Sequence, residues 1–211
     1  MSIARPPSIP MTPAVAPGHL AWLRARVTVA DPARETFQVL VPFTGDVLGT
    51  LPAGTPADVE EALRRARGAQ GAWAARPAGE RAAVLLRFHD LLLDRGEQAM
   101  DLIQLESGKA RSHALEEILD TALVARHYGI HGPRYLRPRR HAGAMPGLTT
   151  TREYRHPVGV VGVIAPWNFP LILSITDVLA ALMAGNAIVL RPDEQSSFTA
   201  LWAAALLDEA G

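Results

Sequence analysis

Two apolar runs at a fixed separation constrain the fold of this chain more than any other feature. The first covers residues 158–165 and the second residues 187–190, while residues 171–186 have helical spacing and end at Gly185-Asn186. An apolar run without polar alternation is typical of a strand buried on both faces of a parallel sheet. A strand, a helix and a strand within about thirty residues form a right-handed βαβ unit. The pattern predicts the beginning of a doubly wound sheet.

The preceding residues complete an α/β pattern. Residues 26–52 alternate between apolar and polar side chains, which predicts short antiparallel strands. Helices are expected over residues 55–75, 77–96, 97–107 and 111–132, with Gly108 suited to a left-handed helix end. The buried face of the last of these is expected to hold Leu115, Ile118, Leu119, Ala122 and Tyr128. The fold class predicted is α/β: an incomplete Rossmann-like parallel sheet with N-terminal helices and short antiparallel strands.

The final helix, residues 196–211, is apolar nearly all round. Such a helix needs cover on several sides, and two parallel strands do not form an independently stable sheet. We therefore expect the sequence to stop in mid-domain, to leave this helix uncovered, and to be poorly soluble alone.

Composition excludes several classes of function. The 211 residues include no cysteine, which removes disulfides, thiolate metal sites and cysteine nucleophiles, and the formal net charge of zero disfavours a nucleic-acid partner. The histidines have no metal-binding spacing, so no metal site is expected. The proline-rich residues 1–20 predict a disordered tail rather than a signal peptide. Asp177 within the most apolar stretch disfavours a membrane span, and a cytoplasmic location is expected.

The segment Pro-Trp-Asn-Phe-Pro at 166–170 follows the first apolar run directly. It admits two interpretations from the residues alone. It could be a rigid turn in which Asn168 bonds its own backbone. Alternatively, a side-chain NH2 held on a stiff turn could bond the oxyanion that develops when a carbonyl is attacked.

Several separated motifs together resemble the aldehyde dehydrogenase superfamily over residues 27–211. They are "GVVGVIAPWNFPL", "AALMAGNAIVLRPDEQSSF", "FTGDVLGTLP", "ERAAVLLRFHDLL" and "LIQLESGKA". The nearest members are bacterial succinic semialdehyde dehydrogenases. The resemblance implies oxidation of a small-molecule aldehyde by NAD or NADP in a homo-oligomer. It assigns residues 21–138 and 157–211 to the N-terminal part of the NAD(P)-binding domain, and residues 139–156 to an oligomerisation hairpin.

The resemblance also implies roles for individual residues. Asn168 corresponds to the asparagine that stabilises the oxyanion and contributes to cofactor binding. Ile164, Ala165, Pro166 and Trp167 correspond to the segment beneath the nicotinamide ribose and pyrophosphate, and Arg191 and Glu194 to the pair that bonds the adenosine ribose.

Departures from the family pattern bear on the cofactor and on catalysis. Arg191 replaces the usual lysine and could accept a 2′-phosphate, but Glu194 would repel one, so NAD is favoured. Asp177 stands where many members have a lysine, which leaves the substrate without an identified anchor. The family's general-base glutamate and catalytic cysteine are expected beyond Gly211, so the chain alone is expected to be inactive. The alternative function is a non-catalytic remnant that binds adenine nucleotide or pairs with full-length subunits.

The segment Glu-Ser-Gly-Lys at 106–109 lacks the first glycine of a P-loop. It is interpreted as a helix end.

Overall fold

The computed structural model describes residues 15–145 and 147–211. Its helices and strands alternate in the manner of an α/β protein. In chain order they are α1 (Pro17–Arg24), β1 (Thr36–Leu40), β2 (Val47–Pro52), α2 (Pro56–Ala75), α3 (Ala78–Asp94), α4 (Gly96–Ser107), α5 (Arg111–Tyr135), β3 (Arg139–Ala142), β4 (Thr150–Glu153), β5 (Val160–Ile164), α6 (Ile172–Met183), β6 (Ala187–Arg191), a 3₁₀ turn (Glu194–Ser196) and α7 (Ser197–Ala210).

The predicted βαβ unit is confirmed. Strands β5 and β6 pair in parallel, from Val160 opposite Ala187 to Ile164 opposite Arg191, with α6 as the connection. Gly185, at φ 94°, ends the helix in a conformation that suits glycine. Both α2 and α6 pack against the two strands. The carboxyl ends of β5 and β6 therefore lie side by side.

The prediction that the first apolar strand is buried on both faces is wrong. Val158 is 90% exposed and Ile164 is 78% exposed. Within the described residues β5 pairs only with β6, so one edge of β5 carries no neighbouring strand. Val158 precedes the strand and Ile164 is its last residue.

The prediction that the final helix is uncovered is also wrong. Helix α7 packs against α1, α3 and α4, and Phe198, Trp202 and Leu206 are buried in the main core. The Phe198 ring lies against Gly49 of β2, where a Cβ atom would come within 2.7 Å of it. These three helices cover the apolar surface of α7, as a helix that is apolar nearly all round requires.

The predicted tail ends earlier than residue 20. Residues 1–14 lie outside the described residues, but Pro17 opens α1, and Leu20 and Leu23 are buried in the core. The prediction is therefore wrong for residues 17–20. Two leucines at helical spacing allow this short helix to pack against α7.

The predicted strand pattern holds for β1 and β2, which pair antiparallel, but not for residues 26–35, which lie in no strand. This segment is instead held by Asp58, which accepts a hydrogen bond from the Ala30 amide at 2.7 Å and pairs with Arg34. The Asp58 side chain also accepts from the Thr55 amide at 2.8 Å. The first turn of α2 thus holds this segment in place, where a neighbouring strand was expected.

Helix α5 buries only part of the predicted face. Ile118 and Ala122 are buried as predicted, but Leu115 and Leu119 are 43% and 48% exposed. The face that contacts α3 carries small residues, such as Gly129, where a Cβ atom would come within 2.6 Å of Leu86. Close helix approach selects small side chains over large apolar ones.

Residues 139–153 contain an antiparallel hairpin of β3 and β4, within the range for which oligomerisation was predicted; that role stays a prediction. Among the described residues no helix is long and apolar enough to cross a membrane.

Candidate active site

Asn168 lies in the loop that leaves the carboxyl end of β5. The Ala165 amide extends the β5–β6 ladder by donating to the Arg191 carbonyl at 3.0 Å. Residues 166–169 are then exposed, and Pro170 is buried where the chain enters α6. The Asn168 side chain is exposed and has no hydrogen-bond partner within the part of the chain that the structure describes. The amide is therefore available to a ligand instead of being held by its own turn.

A buried carboxylate from α5 fixes the end of this loop. Glu117 is fully buried, and its Oε2 accepts hydrogen bonds from the backbone amides of Leu171 at 2.9 Å and Ile172 at 3.3 Å. A carboxylate at the N-terminus of a helix is favoured by the helix dipole and by the unpaired amides of the first turn. The same carboxylate forms an ion pair with Lys109, whose Nζ lies 3.7 Å from the centroid of the Phe169 ring.

The second loop follows β6. Arg191 and Glu194 approach each other at 3.9 Å, and their side chains are 60% and 70% exposed. Asp193 Oδ1 accepts from the Gln195 amide at 3.0 Å and so begins the 3₁₀ turn. Because Arg191 pairs with Ile164 across the two strands, the second loop starts beside the first.

A second buried carboxylate holds the helix that follows this loop. Glu106 of α4 accepts from the amides of Phe198 at 2.6 Å and Thr199 at 2.7 Å, and from Thr199 Oγ1 at 2.6 Å. Burial raises the pKa of Glu106 to about 7, against the opposing effect of these hydrogen bonds.

The structure brings the predicted site residues together at one edge of the sheet. Ile164, Pro166, Trp167 and Asn168 lie on or beside the surface at the end of β5, Ala165 is buried there, and Arg191 and Glu194 follow β6. This edge, at the carboxyl ends of parallel strands, is where open α/β sheets bind ligands. In the described residues no group of three side chains is placed to hold a metal ion.

Sequence reasoning missed the two buried glutamates. A signal was available, since Glu106 follows Leu102 by four positions and Glu117 follows Ala114 by three, the spacings of one helix face. A carboxylate in the apolar stripe of a helix needs a partner, and here the partners are helix N-termini more than fifty residues away.

A cavity of about 600 Å³ lies between α5 and α6. None of the predicted site residues lines it. Its lining combines basic, aromatic and acidic side chains: Leu123, Val124, Arg126, His127, Tyr128, Ile130, His131, Thr176 and Asp177.

The fold is that of an α/β protein with an exposed asparagine amide at the carboxyl ends of two parallel strands, the edge at which open α/β sheets bind ligands. The family model for the aldehyde dehydrogenase family matches residues 29–211. This chain belongs to that family.

Named relatives agree with this assignment. The protein "Putative succinate-semialdehyde dehydrogenase [NADP(+)]" of Mycolicibacterium smegmatis is 47% identical over 200 residues, which are 94% of this chain and 39% of the relative. The crystal structure of succinate-semialdehyde dehydrogenase from Burkholderia pseudomallei matches with a TM-score of 0.79 at 33% identity, over 84% of this chain and 36% of that one. An NAD-dependent benzaldehyde dehydrogenase from Corynebacterium glutamicum matches with a TM-score of 0.79 at 35% identity, over 87% of this chain and 40% of that one. The chain thus spans about two fifths of the length of these relatives.

Proposed function

We propose that this chain is the N-terminal part of the cofactor domain of an NAD(P)-dependent aldehyde dehydrogenase that oxidises succinic semialdehyde to succinate. One observation carries the proposal. The Asn168 amide is exposed and without a protein partner among the described residues, at the carboxyl end of a parallel strand whose neighbour ends in Arg191. The choice of aldehyde is supported by the names of the Mycolicibacterium and Burkholderia relatives.

The residues at this edge fit a dinucleotide. Ile164 is 78% exposed and Trp167 is 50% exposed, which provides an apolar surface for the nicotinamide ribose. Arg191 provides a cation beyond the neighbouring strand. When bound, the dinucleotide supplies the hydride acceptor.

The chain's own residues would hold the oxygen of the aldehyde. The Asn168 NH2 donates a hydrogen bond to the carbonyl oxygen, and this bond strengthens as negative charge develops there. Pro166 and Pro170 restrict the loop, so little reorganisation is needed at the moment of reaction. Because the chain has no cysteine, the attacking thiolate would come from polypeptide outside these 211 residues.

We infer NADP⁺ rather than NAD⁺ as the cofactor, which departs from the expectation that the Glu194 carboxylate favours NAD. Arg191 presents a planar fork that matches a 2′-phosphate. Glu194 lies 3.9 Å from it, so the pair reduces the repulsion that an isolated carboxylate would exert. The Mycolicibacterium relative is named for NADP(+).

Calorimetric titration of the chain with NADP⁺ and NAD⁺ tests the nucleotide site. NADP⁺ is expected to bind more tightly, and Arg191→Met is expected to abolish most of the difference. Arg67→Met is the matched control, because Arg67 lies beside Val158 and Gly159 at the opposite end of β5. Absence of heat with both nucleotides would contradict the proposal.

The absence of cysteine favours a second candidate function, a non-catalytic chain that binds nucleotide or pairs with full-length subunits. Both candidates predict that the chain with succinic semialdehyde and NADP⁺ produces no NADPH absorbance. Addition of a cysteine-containing C-terminal portion of a relative separates them: NADPH formation supports the enzyme, and its absence with intact nucleotide binding supports the remnant.

A further inference from the structure

Residues 106–109 end α4 and begin the turn to α5. They lie between the Asn168 loop, which Lys109 contacts, and the segment after β6, where Gln195 donates to the Glu106 carbonyl at 3.4 Å. Gly108 adopts φ 71° and ends α4, and its amide donates to the Gln104 carbonyl at 2.9 Å. A Cβ atom at Gly108 would lie 3.4 Å from Pro42. The turn is thus fixed by its own helix end and has little freedom to shift its flanking side chains.

Lys109, which follows Gly108, contacts the Asn168 loop directly at Phe169 and indirectly through Glu117. Its Nζ lies above the ring of Phe169, the residue after Asn168, and is paired with the buried Glu117. A cation on an aromatic face is attracted by the ring's quadrupole. Glu117 in turn accepts from the two amides that begin α6.

The Lys109–Glu117 pair therefore holds the backbone amides of Leu171 and Ile172 and the ring of Phe169, and it leaves Asn168 itself without a partner among the described residues. A buried ion pair is a poor source of net stability, because desolvation of both charges offsets their attraction. The ion pair instead contributes by fixing the geometry of the loop. Charge-assisted hydrogen bonds are short and directional, and they hold the loop on its C-terminal side while the β5–β6 ladder holds the N-terminal side.

We propose that Glu117 and Lys109 are positioning residues that fix the direction of the Asn168 amide at the carboxyl ends of β5 and β6. The role in catalysis rests on the proposed function, because it concerns the residue assigned to the oxyanion. The positioning itself is a property of this chain and is measurable without turnover.

Glu106, in the last turn of α4, provides a matched control. It is buried like Glu117, and it also accepts from two backbone amides at a helix N-terminus, but that helix is α7. Glu106→Gln perturbs a buried carboxylate three residues from Lys109 without touching the Asn168 loop.

Hydrogen exchange and the NMR signal of the Asn168 side-chain amide test the proposal in the 211-residue chain. Glu117→Gln is expected to accelerate exchange at Leu171 and Ile172 by about tenfold or more, since a hydrogen bond to a charged acceptor becomes a neutral one. The Asn168 NH2 signal is expected to broaden or shift. Lys109→Gln is the second variant, in case Glu117→Gln fails to fold, and Lys109→Arg is expected to restore the wild-type signal.

Binding of cofactor fragments separates positioning from general loosening. Glu117→Gln and Lys109→Gln are expected to weaken NADP⁺ while adenosine 2′,5′-bisphosphate, which lacks the nicotinamide half, binds unchanged. Glu106→Gln is expected to leave exchange at Leu171 and Ile172 unchanged and to accelerate it at Phe198 and Thr199.

Unchanged exchange and an unchanged Asn168 signal in Glu117→Gln or Lys109→Gln would overturn the proposal. Equal acceleration at α6 and α7 in all three variants would overturn it as well, because it would indicate loss of global stability. If wild-type chain binds no NADP⁺, the proposed function fails, yet exchange and the Asn168 signal still decide the positioning role.

Discussion

A buried glutamate holds the end of the Asn168 loop, and a second buried glutamate holds the helix that follows the loop after β6. The two glutamates differ in the charge of their partners. The Asn168 loop ends at a helix whose first amides bond Glu117, and the loop after β6 leads to a helix whose first amides bond Glu106. Glu117 has Lys109 as a counter-charge. Glu106 has only neutral donors, from the amides of Phe198 and Thr199 and the Thr199 hydroxyl.

This difference bears on pH. A buried carboxylate without a cation becomes harder to ionise, as the raised pKa of Glu106 shows. The ion pair instead keeps opposite charges together near the proposed oxyanion donor. The loop that carries Asn168 is thus held through an ion pair, and the loop after β6 leads to a helix that is held through neutral donors alone.

Removal of the counter-charge should have the largest effect. Lys109→Met leaves the fully buried Glu117 carboxylate without a cation, which typically costs about 3–5 kcal/mol of unfolding free energy. For a chain of this size such a loss lowers the Tm by roughly 10 °C. Urea denaturation followed by circular dichroism measures it.

The double variant Lys109→Met/Glu117→Gln is expected to regain much of that loss, because no unpaired charge remains. Arg64→Met serves as the surface control, since Arg64 pairs with Glu61 on the exposed face of α2, and no measurable change is expected. A Lys109→Met variant as stable as wild type would show that the charge pair is not what holds the Asn168 loop.

Titration of Glu106 should give the next largest effect. The folded chain retains a proton on Glu106 up to about pH 7, whereas the unfolded carboxyl loses it near its usual value of 4.5. Unfolding free energy should therefore fall as pH rises through this window, by up to about 3 kcal/mol. Denaturation of wild type and Glu106→Gln at about pH 5 and about pH 8 measures the difference. Equal slopes in the two proteins would show that Glu106 does not keep its proton through this pH range.

Cofactor choice should show the smallest effect. Glu194→Gln removes an exposed negative charge beside Arg191, so affinity for NADP⁺ should rise by about threefold relative to NAD⁺, as expected for solvent-screened charges. Calorimetry with both nucleotides checks this ratio. A rise in NAD⁺ affinity instead would mean that Glu194 does not face the 2′ position.

The sequence predicted the βαβ unit because strand, helix and strand each carry a local signal. Gly185 and the apolar runs on either side of α6 are sufficient for this. Burial of individual residues was less predictable. Val158 and Ile164 belong to an apolar run, but their exposure depends on which strands and helices surround β5, and no local pattern encodes that.

The candidate site shows the same division. The strand-end position of Asn168 and the neighbouring Arg191 follow from the sequence, since parallel strands end at one edge. The roles of Glu106 and Glu117 do not, because their partners are residues 198–199 and 171–172, far away along the chain. Contacts between distant segments appear only in the folded molecule.

The direction of the Asn168 amide is the central claim, and its NMR signal during a titration with NADP⁺ tests it most directly. We predict that the Asn168 side-chain amide and the backbone amides of Ile164 and Trp167 shift together with that of Arg191 as the nucleotide saturates. Saturable NADP⁺ binding that leaves the Asn168 amide unchanged would contradict the account.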